Sequence, residues 1–336
     1  MYRKPTGGRW LELLLFTLSS LFLYHTGVGI ALFLVPLQVV ASRRGIKALY
    51  TAAGLFVVIF LGIRLFPLVR NASALPDILE YVETGIVVLL LLGLIAVNLP
   101  MKNRPRTLAI LAAAAAAVGA AAVPCGLWLS QNAAFQQSMA GLFVDISKTL
   151  STVFAPADAV AGSMLAPLLR PEKLRQIAEA YLLRSIVADY LMLLAFSWWA
   201  GQAAATRTAA LLGVPPKFHF ALFRLEGGWL WPLIGAGALV LADLAFGLSF
   251  WAYPAWNVAL GVMFLYGLQG LAILRFLFEK HGLPRLTWLL LIVVIAVLAA
   301  SPRVGLFVMI ALPVFGVSEN WIRYRVPRDA APAEKS

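Results

Sequence analysis

The chain carries one cysteine, three histidines and few acids. Asp and Glu total 15 of 336 residues, and charged residues of both signs make up 12%, against roughly 25% in soluble domains. With Cys125 alone, an intramolecular disulfide is excluded. His25, His219 and His281 lie in different parts of the chain and offer no metal-ligand spacing. A Walker A loop, H-E-x-x-H, G-x-S-x-G and C-x-x-C are all missing. No cofactor, metal site or catalytic set is therefore expected, and the chain does not read as an enzyme. Lacking a nucleotide motor of its own, it would need an energising partner for any active transport.

What is present is apolar. Apolar residues make up 62% of the chain, against roughly 45–50% in soluble domains. That much apolar surface exceeds what a water-soluble core hides, and it excludes disorder and collagen. The chain reads as an all-α polytopic bundle whose main partner is the lipid bilayer. The net charge of +12 does not call for nucleic acid. The 27 basic residues recur in short groups between apolar runs, which is the positive-inside pattern.

The runs order themselves as follows. A basic start (Arg3, Lys4, Arg9) precedes Leu11 to Tyr24, and no cleavage site follows, so this reads as a retained anchor. After a turn at His25–Gly29 comes a short span, Gly27 to Val40, then a basic loop with Arg43, Arg44 and Lys47. Ala48 to Phe66 leads to an acidic loop holding Asp77, Glu80 and Glu83, and Gly85 to Leu99 returns to Lys102, Arg104 and Arg106. Leu108 to Leu129 is alanine-rich, which suggests packing inside the bundle. Residues 131–180 are polar enough to leave the membrane. Phe143, Ile146, Leu150, Val153 and Phe154 repeat at helical spacing, and Pro171 opens a second amphipathic helix with Arg175 and Glu179 as a pair. Both are expected on the outer membrane face, the second running on into the next span. Leu182 to Ala200, Leu230 to Phe250, Ala255 to Phe278, Leu286 to Ala300 and Val304 to Val317 complete the spans, with a turn at Trp251–Trp256. About ten crossings result, or about eight if the short first and last pairs do not cross fully. Residues 1–326 form one membrane domain and 327–336 a polar cytoplasmic tail, with both termini inside.

Two checks agree with this layout. Asp77, Glu80, Glu83, Asp145, Asp158, Glu172 and Glu179 all fall outside, while most basic residues fall inside. The 10 tryptophans sit at or near span ends, where indoles favour the headgroup level.

Three stretches carry a family resemblance. They are Phe218-His-Phe-Ala-Leu-Phe-Arg-Leu-Glu-Gly-Gly-Trp-Leu-Trp-Pro232, Tyr266-Gly-Leu-Gln-Gly-Leu-Ala-Ile-Leu-Arg275 with Gly282-Leu-Pro284, and Phe315-Gly-Val-Ser-Glu-Asn-Trp-Ile-Arg-Tyr-Arg325. With Pro36 and Arg43-Arg-Gly45, they resemble the YybS-like family of bacterial membrane proteins, a domain of unknown function. The resemblance implies a bacterial inner-membrane location. It also implies a layout similar to the substrate-binding components of energy-coupling-factor vitamin transporters, an analogy of fold alone.

Ionisable residues inside spans are costly unless paired. Glu12 is one helical turn from Arg9, Arg64 is placed to snorkel, and Arg275 precedes Glu279 by four residues. Asp189 and Asp243 are less easily dismissed. Counting along their helices puts both roughly 10 Å below the outer surface, where with Arg184 they could line an outward cavity. The bland alternative gives each acid a separate partner, such as Ser185 for Asp189. Tyr266 and Gln269 sit mid-span, as glue between helices or as ligand contacts. Gly235 to Ala238 suggests close helix packing, with a locally unwound, ligand-facing backbone as the alternative. Asp189, Asp243, Arg184, Tyr266 and Gln269 are thus the candidate binding set. The favoured function is a solute-binding or transport component whose ligand the sequence does not name. The alternative is a membrane scaffold or regulator of an envelope complex, docking through Pro215 to Glu226.

The topology is open to a direct check. With Cys125 replaced by serine, a cysteine placed at Ser147 should react with an impermeant thiol reagent added to intact cells. One placed at Asn103 should stay unlabelled, and its labelling would invert the assignment.

Overall fold

A computed structural model of the chain describes residues 7–26, 32–70, 78–99, 104–154, 167, 169–210, 220–283 and 302–325. Every regular element among them is helical. Six helices are long and apolar enough to cross a membrane, and two shorter apolar ones, Trp10–His25 and Phe307–Ser318, accompany them. The chain divides into two compact units, Met1–Val214 and Pro215–Ser336.

The first unit holds α1 (Gly7–His25), α2 (Leu34–Arg44), α3 (Ile46–Arg70), α4 (Ile78–Asn98), α5 (Arg104–Gln131), α6 (Ala133–Phe154) and α7 (Pro171–Ala210). Its centre is the shortest of them. The helix α2 packs against α1, α3, α4 and α7, and Leu34, Leu37 and Val40 are almost completely buried. At 11 residues it rises about 16 Å, half a hydrocarbon core. The described helix is therefore shorter than the span expected there, and shifted toward Arg44. One buried polar side chain crosses this centre. Gln38 and Asn98 exchange amide hydrogen bonds, Asn98 Nδ2 to Gln38 Oε1 at 2.6 Å and Gln38 Nε2 to Asn98 Oδ1 at 3.1 Å. Gly201 of α7 lies directly on Gln38, so no larger residue fits there.

Several expectations are corrected here. Glu80 and Glu83 are not in a loop but in the opening turns of α4, because glutamate is a good helix former and acids suit a helix N-terminus. Asp77 lies outside the described residues. The alanine-rich α5 is not enclosed by the bundle. Gly119 and Gly126 let it approach Val187 and Leu183 of α7 closely, but Ala113, Ala116 and Ala117 are exposed on its other side. The helix expected from Phe143 begins ten residues earlier. It is separated from α5 only by Asn132, whose Oδ1 caps it by accepting from the Phe135 N–H at 3.1 Å. It is not among the six candidate spans. The second amphipathic segment does run into the next span, as α7, a single helix of 40 residues.

The second unit holds α8 (Leu230–Phe246), α9 (Ala252–Lys280) and α10 (Pro302–Ser318), with 3-10 turns at Phe220–Leu222, Gly227–Trp229 and Ser249–Trp251. The connection between α8 and α9 is Gly247–Trp251, four to five residues ahead of the expected turn at Trp251–Trp256. Gly247 ends α8 with φ +68°, a left-handed conformation that favours glycine. The expected span Leu286 to Ala300 lies outside the described residues.

At one crossing, α9 and α10 touch backbone to backbone. A methyl group on Gly270 would run into the Leu312 carbonyl, and one on Gly316 into the Tyr266 carbonyl. The glycines of α8 behave differently. Gly235 and Gly237 have open space around them and lie within an unbroken helix. Among the described residues they show neither the close packing nor the unwinding expected of Gly235 to Ala238.

These contrasts set a test. Gly270→Ala and Gly316→Ala should each destabilise the protein by about 1–3 kcal/mol, since the obstructing atoms are backbone. Gly235→Ala should be neutral or stabilising by up to about 1 kcal/mol. Thermal unfolding in detergent, followed by circular dichroism, compares the three.

Candidate functional site

Each residue of the expected binding set is built into its own unit. Asp189 and Arg184 belong to α7 in the first unit, and Asp243, Tyr266 and Gln269 belong to the second. Asp189 Oδ2 is 2.7 Å from Ser185 Oγ, which also lies 2.9 Å from the Tyr181 carbonyl. This is the one-turn partner expected for it. Arg184 lies five residues before Asp189, about 140° away around the helix. Next to Asp189, Tyr190 reaches α4, its hydroxyl donating to the Leu89 carbonyl at 3.2 Å in space left by Gly93.

Asp243 has a structural task. Its Oδ1 accepts from the Leu248 N–H and its Oδ2 from the Trp256 indole N–H, both at 2.9 Å. Its own carbonyl accepts from the Gly247 N–H at 2.8 Å. One buried carboxylate thus closes the turn after α8 and clasps the first turns of α9. Such use needs an acid with two acceptor oxygens beside a glycine turn, a local signal that counting depth along the helix passes over.

Gln269 is likewise committed. Its Oε1 accepts from the Leu225 N–H at 2.9 Å, and its Nε2 donates to the Gly316 carbonyl at 3.1 Å and to Glu319 Oε2 at 2.8 Å. The amide joins α9 to α10 and to the segment preceding α8, the interhelical glue expected as one of its two roles. Glu319 is buried and pairs with Arg325 at 3.0 Å. Burial holds the Arg325 guanidinium below its ordinary pKa; Glu319 opposes that shift and Arg224 adds to it. Tyr266 is fully buried, and Asn320 is the polar side chain beside its hydroxyl.

An ionic cluster joining three of the apolar helices was not expected. Glu83 of α4 accepts hydrogen bonds from Tyr24 of α1 and Arg64 of α3, and Arg64 also stands 3.6 Å from Glu80. Arg64 lies over the Phe60 ring at 5.6 Å. Tyr24 meets Phe60 and Phe33 edge-on at 5.2 and 5.7 Å, and Phe33 stacks on Phe56. Arg64 therefore pairs, where snorkelling was expected, and three helices meet at one carboxylate. At the far end of α1, Glu12 bonds across to Arg44 and Arg43 of α2. The local pairs Arg275–Glu279 and Arg175–Glu179 form as expected, at 2.8 and 3.4 Å.

Among the described residues no group of three or more His, Cys, Asp or Glu could hold a metal ion. Two surface hollows stand out among the described residues. One, about 470 Å3, lies along α10 between Phe307 and Ser318; the other, about 340 Å3, is lined by Arg224, Leu225, Glu226 and Gly227. None of the five candidate residues lines either. The chain matches no protein-family model, no curated protein and no solved structure.

The Glu83 cluster predicts a coupling. Arg64→Met should cost about 1 kcal/mol, a modest figure because Glu83 is 39% exposed. In a Glu83→Gln background the same change should cost less. A double-mutant cycle of thermal unfolding reads the difference, and equal costs in both backgrounds would dissolve the pair.

Proposed function

We propose that the chain is a non-transporting membrane protein that scaffolds or regulates an envelope protein complex. The observation carrying this reading is how the candidate acids are used. Asp243 accepts with both oxygens from its own turn and from Trp256, and Asp189 is bonded by Ser185. Gln269 places its amide on three groups of its own unit. Asp243 and Gln269 join helices and turns, and Asp189 is bonded within its own helix. A solute-binding or transport component would need these groups turned to a cavity. The wider proposal is a YybS-like protein of the bacterial inner membrane with about ten crossings and both termini cytoplasmic. The apolar helices and the distribution of basic residues support that placement.

The scaffold reading is tested by mild solubilisation of native membranes and quantitative identification of everything that accompanies the full-length protein. A partner protein in fixed stoichiometry is expected. Asp243→Asn keeps the side chain's shape but cannot accept from both N–H donors. It should therefore lower stability by about 1–3 kcal/mol, and Asp189→Asn by less. Neither change should release a small molecule. A solute that co-purifies with the wild type and is lost from either variant at intact stability would restore the transport reading.

A further inference from the structure

Two segments of the second unit, Phe220–Trp229 and Glu319–Arg325, are distant in sequence and tied together. Arg325 donates from Nη1 to the Ala221 carbonyl at 2.9 Å and from Nη2 to the Phe223 carbonyl at 2.7 Å. Gln269 takes the Leu225 N–H. The backbone is thus pinned against the ends of apolar helices, and what it displays is mixed. Trp231 is 73% exposed and Trp321 69%, and Leu222 and Ile322 are half-exposed. Among them stand the exposed Arg224 and Arg323. In water this surface would be a liability. At the headgroup level it is complementary to its surroundings: indoles and aliphatic chains meet the acyl boundary, and guanidinium groups meet phosphate.

The charges sharpen this. Of the two carboxylates in these segments, Glu319 is buried against Arg325. Arg224, Arg323 and Glu226 remain at the surface, an excess of positive charge. The hollow of about 340 Å3 has Arg224 and Glu226 in its wall. Glu226 repels a bare phosphate but accepts hydrogen bonds from hydroxyl groups.

We propose that this surface binds an anionic phospholipid with a hydroxylated headgroup, its phosphodiester on Arg224 and Arg323 and its hydroxyls toward Glu226. Phosphatidylglycerol has that chemistry, and the basic character of the surface places it in the cytoplasmic leaflet. The scaffold reading assigns Pro215 to Glu226 to a protein partner, so the two readings compete for Arg224 and Glu226, and the test below separates them.

The test uses the full-length protein in nanodiscs of mixed phosphatidylcholine and phosphatidylglycerol, with retained lipids counted by native mass spectrometry. Phosphatidylglycerol should be enriched over its bulk proportion. The double variant Arg224→Gln/Arg323→Gln should lose that enrichment by about thirtyfold, given the attraction of each basic side chain to anionic lipid. Lys148→Gln, at an exposed site of the first unit, should change nothing. Helicity is checked by circular dichroism. Should the glutamine pair fail to fold, Arg224→Lys/Arg323→Lys keeps the charge and loses the bidentate geometry, and a partial loss of enrichment is then expected. Three results would overturn the proposal: lipid retained in bulk proportion by the wild type, a folded variant pair with undiminished enrichment, or a double variant that loses a protein partner and keeps the lipid.

Discussion

A hydrocarbon interior gives a polar atom no water to turn to, so each one must be answered from within the protein. That constraint explains most of the polar architecture here. Gln38 is answered by Asn98, Glu12 by Arg44 and Arg43, Glu83 by Arg64 and Tyr24, and Asp243 by an amide and an indole. In each case the answer comes from another helix or from the turn beyond it. Polar residues therefore choose which helices are neighbours, while the apolar majority, equally at home against lipid, chooses much less.

The two units meet this constraint differently. In the first, side chains from one helix fill the space left by glycines of another and bridge between helices, and a buried 11-residue helix is the hub. In the second, α9 and α10 touch because Gly270 and Gly316 have nothing to keep them apart. Only at that distance does the Gln269 amide reach both Gly316 and Glu319. The close approach and the polar clasp are parts of one arrangement, and the second fails without the first.

What could be read in advance follows from range. Long apolar runs announce helices by composition, and pairs four residues apart, such as Arg275–Glu279, announce themselves by helical geometry. The continuity of α7 from the amphipathic segment into the span was legible because neither proline nor glycine occurs between Glu172 and Ala200. Tertiary choices were not legible. Gly235 and Gly270 are the same residue in similar apolar surroundings, yet one faces open space and the other a backbone. Nothing local in the sequence separates them. Arg64 had a sufficient local explanation as a snorkelling side chain, and its actual partners lie on two other helices. Depth along a helix located Asp243 but not its purpose, which depends on the turn after it.

One consequence concerns mechanics. At 40 residues α7 is about 60 Å long, twice the thickness of a hydrocarbon core. Near one end Gly201 rests on Gln38 of the central helix, and just beyond the other the Leu169 carbonyl accepts from Ser147 of α6 at 2.6 Å. From Pro171 to Gly201 the rod runs about 45 Å with no joint. A rod pivoting near its middle moves its two ends in opposite directions by similar amounts. A displacement at the α2 end of this rod would reach its α6 end as motion of a lever, with no change of secondary structure in between.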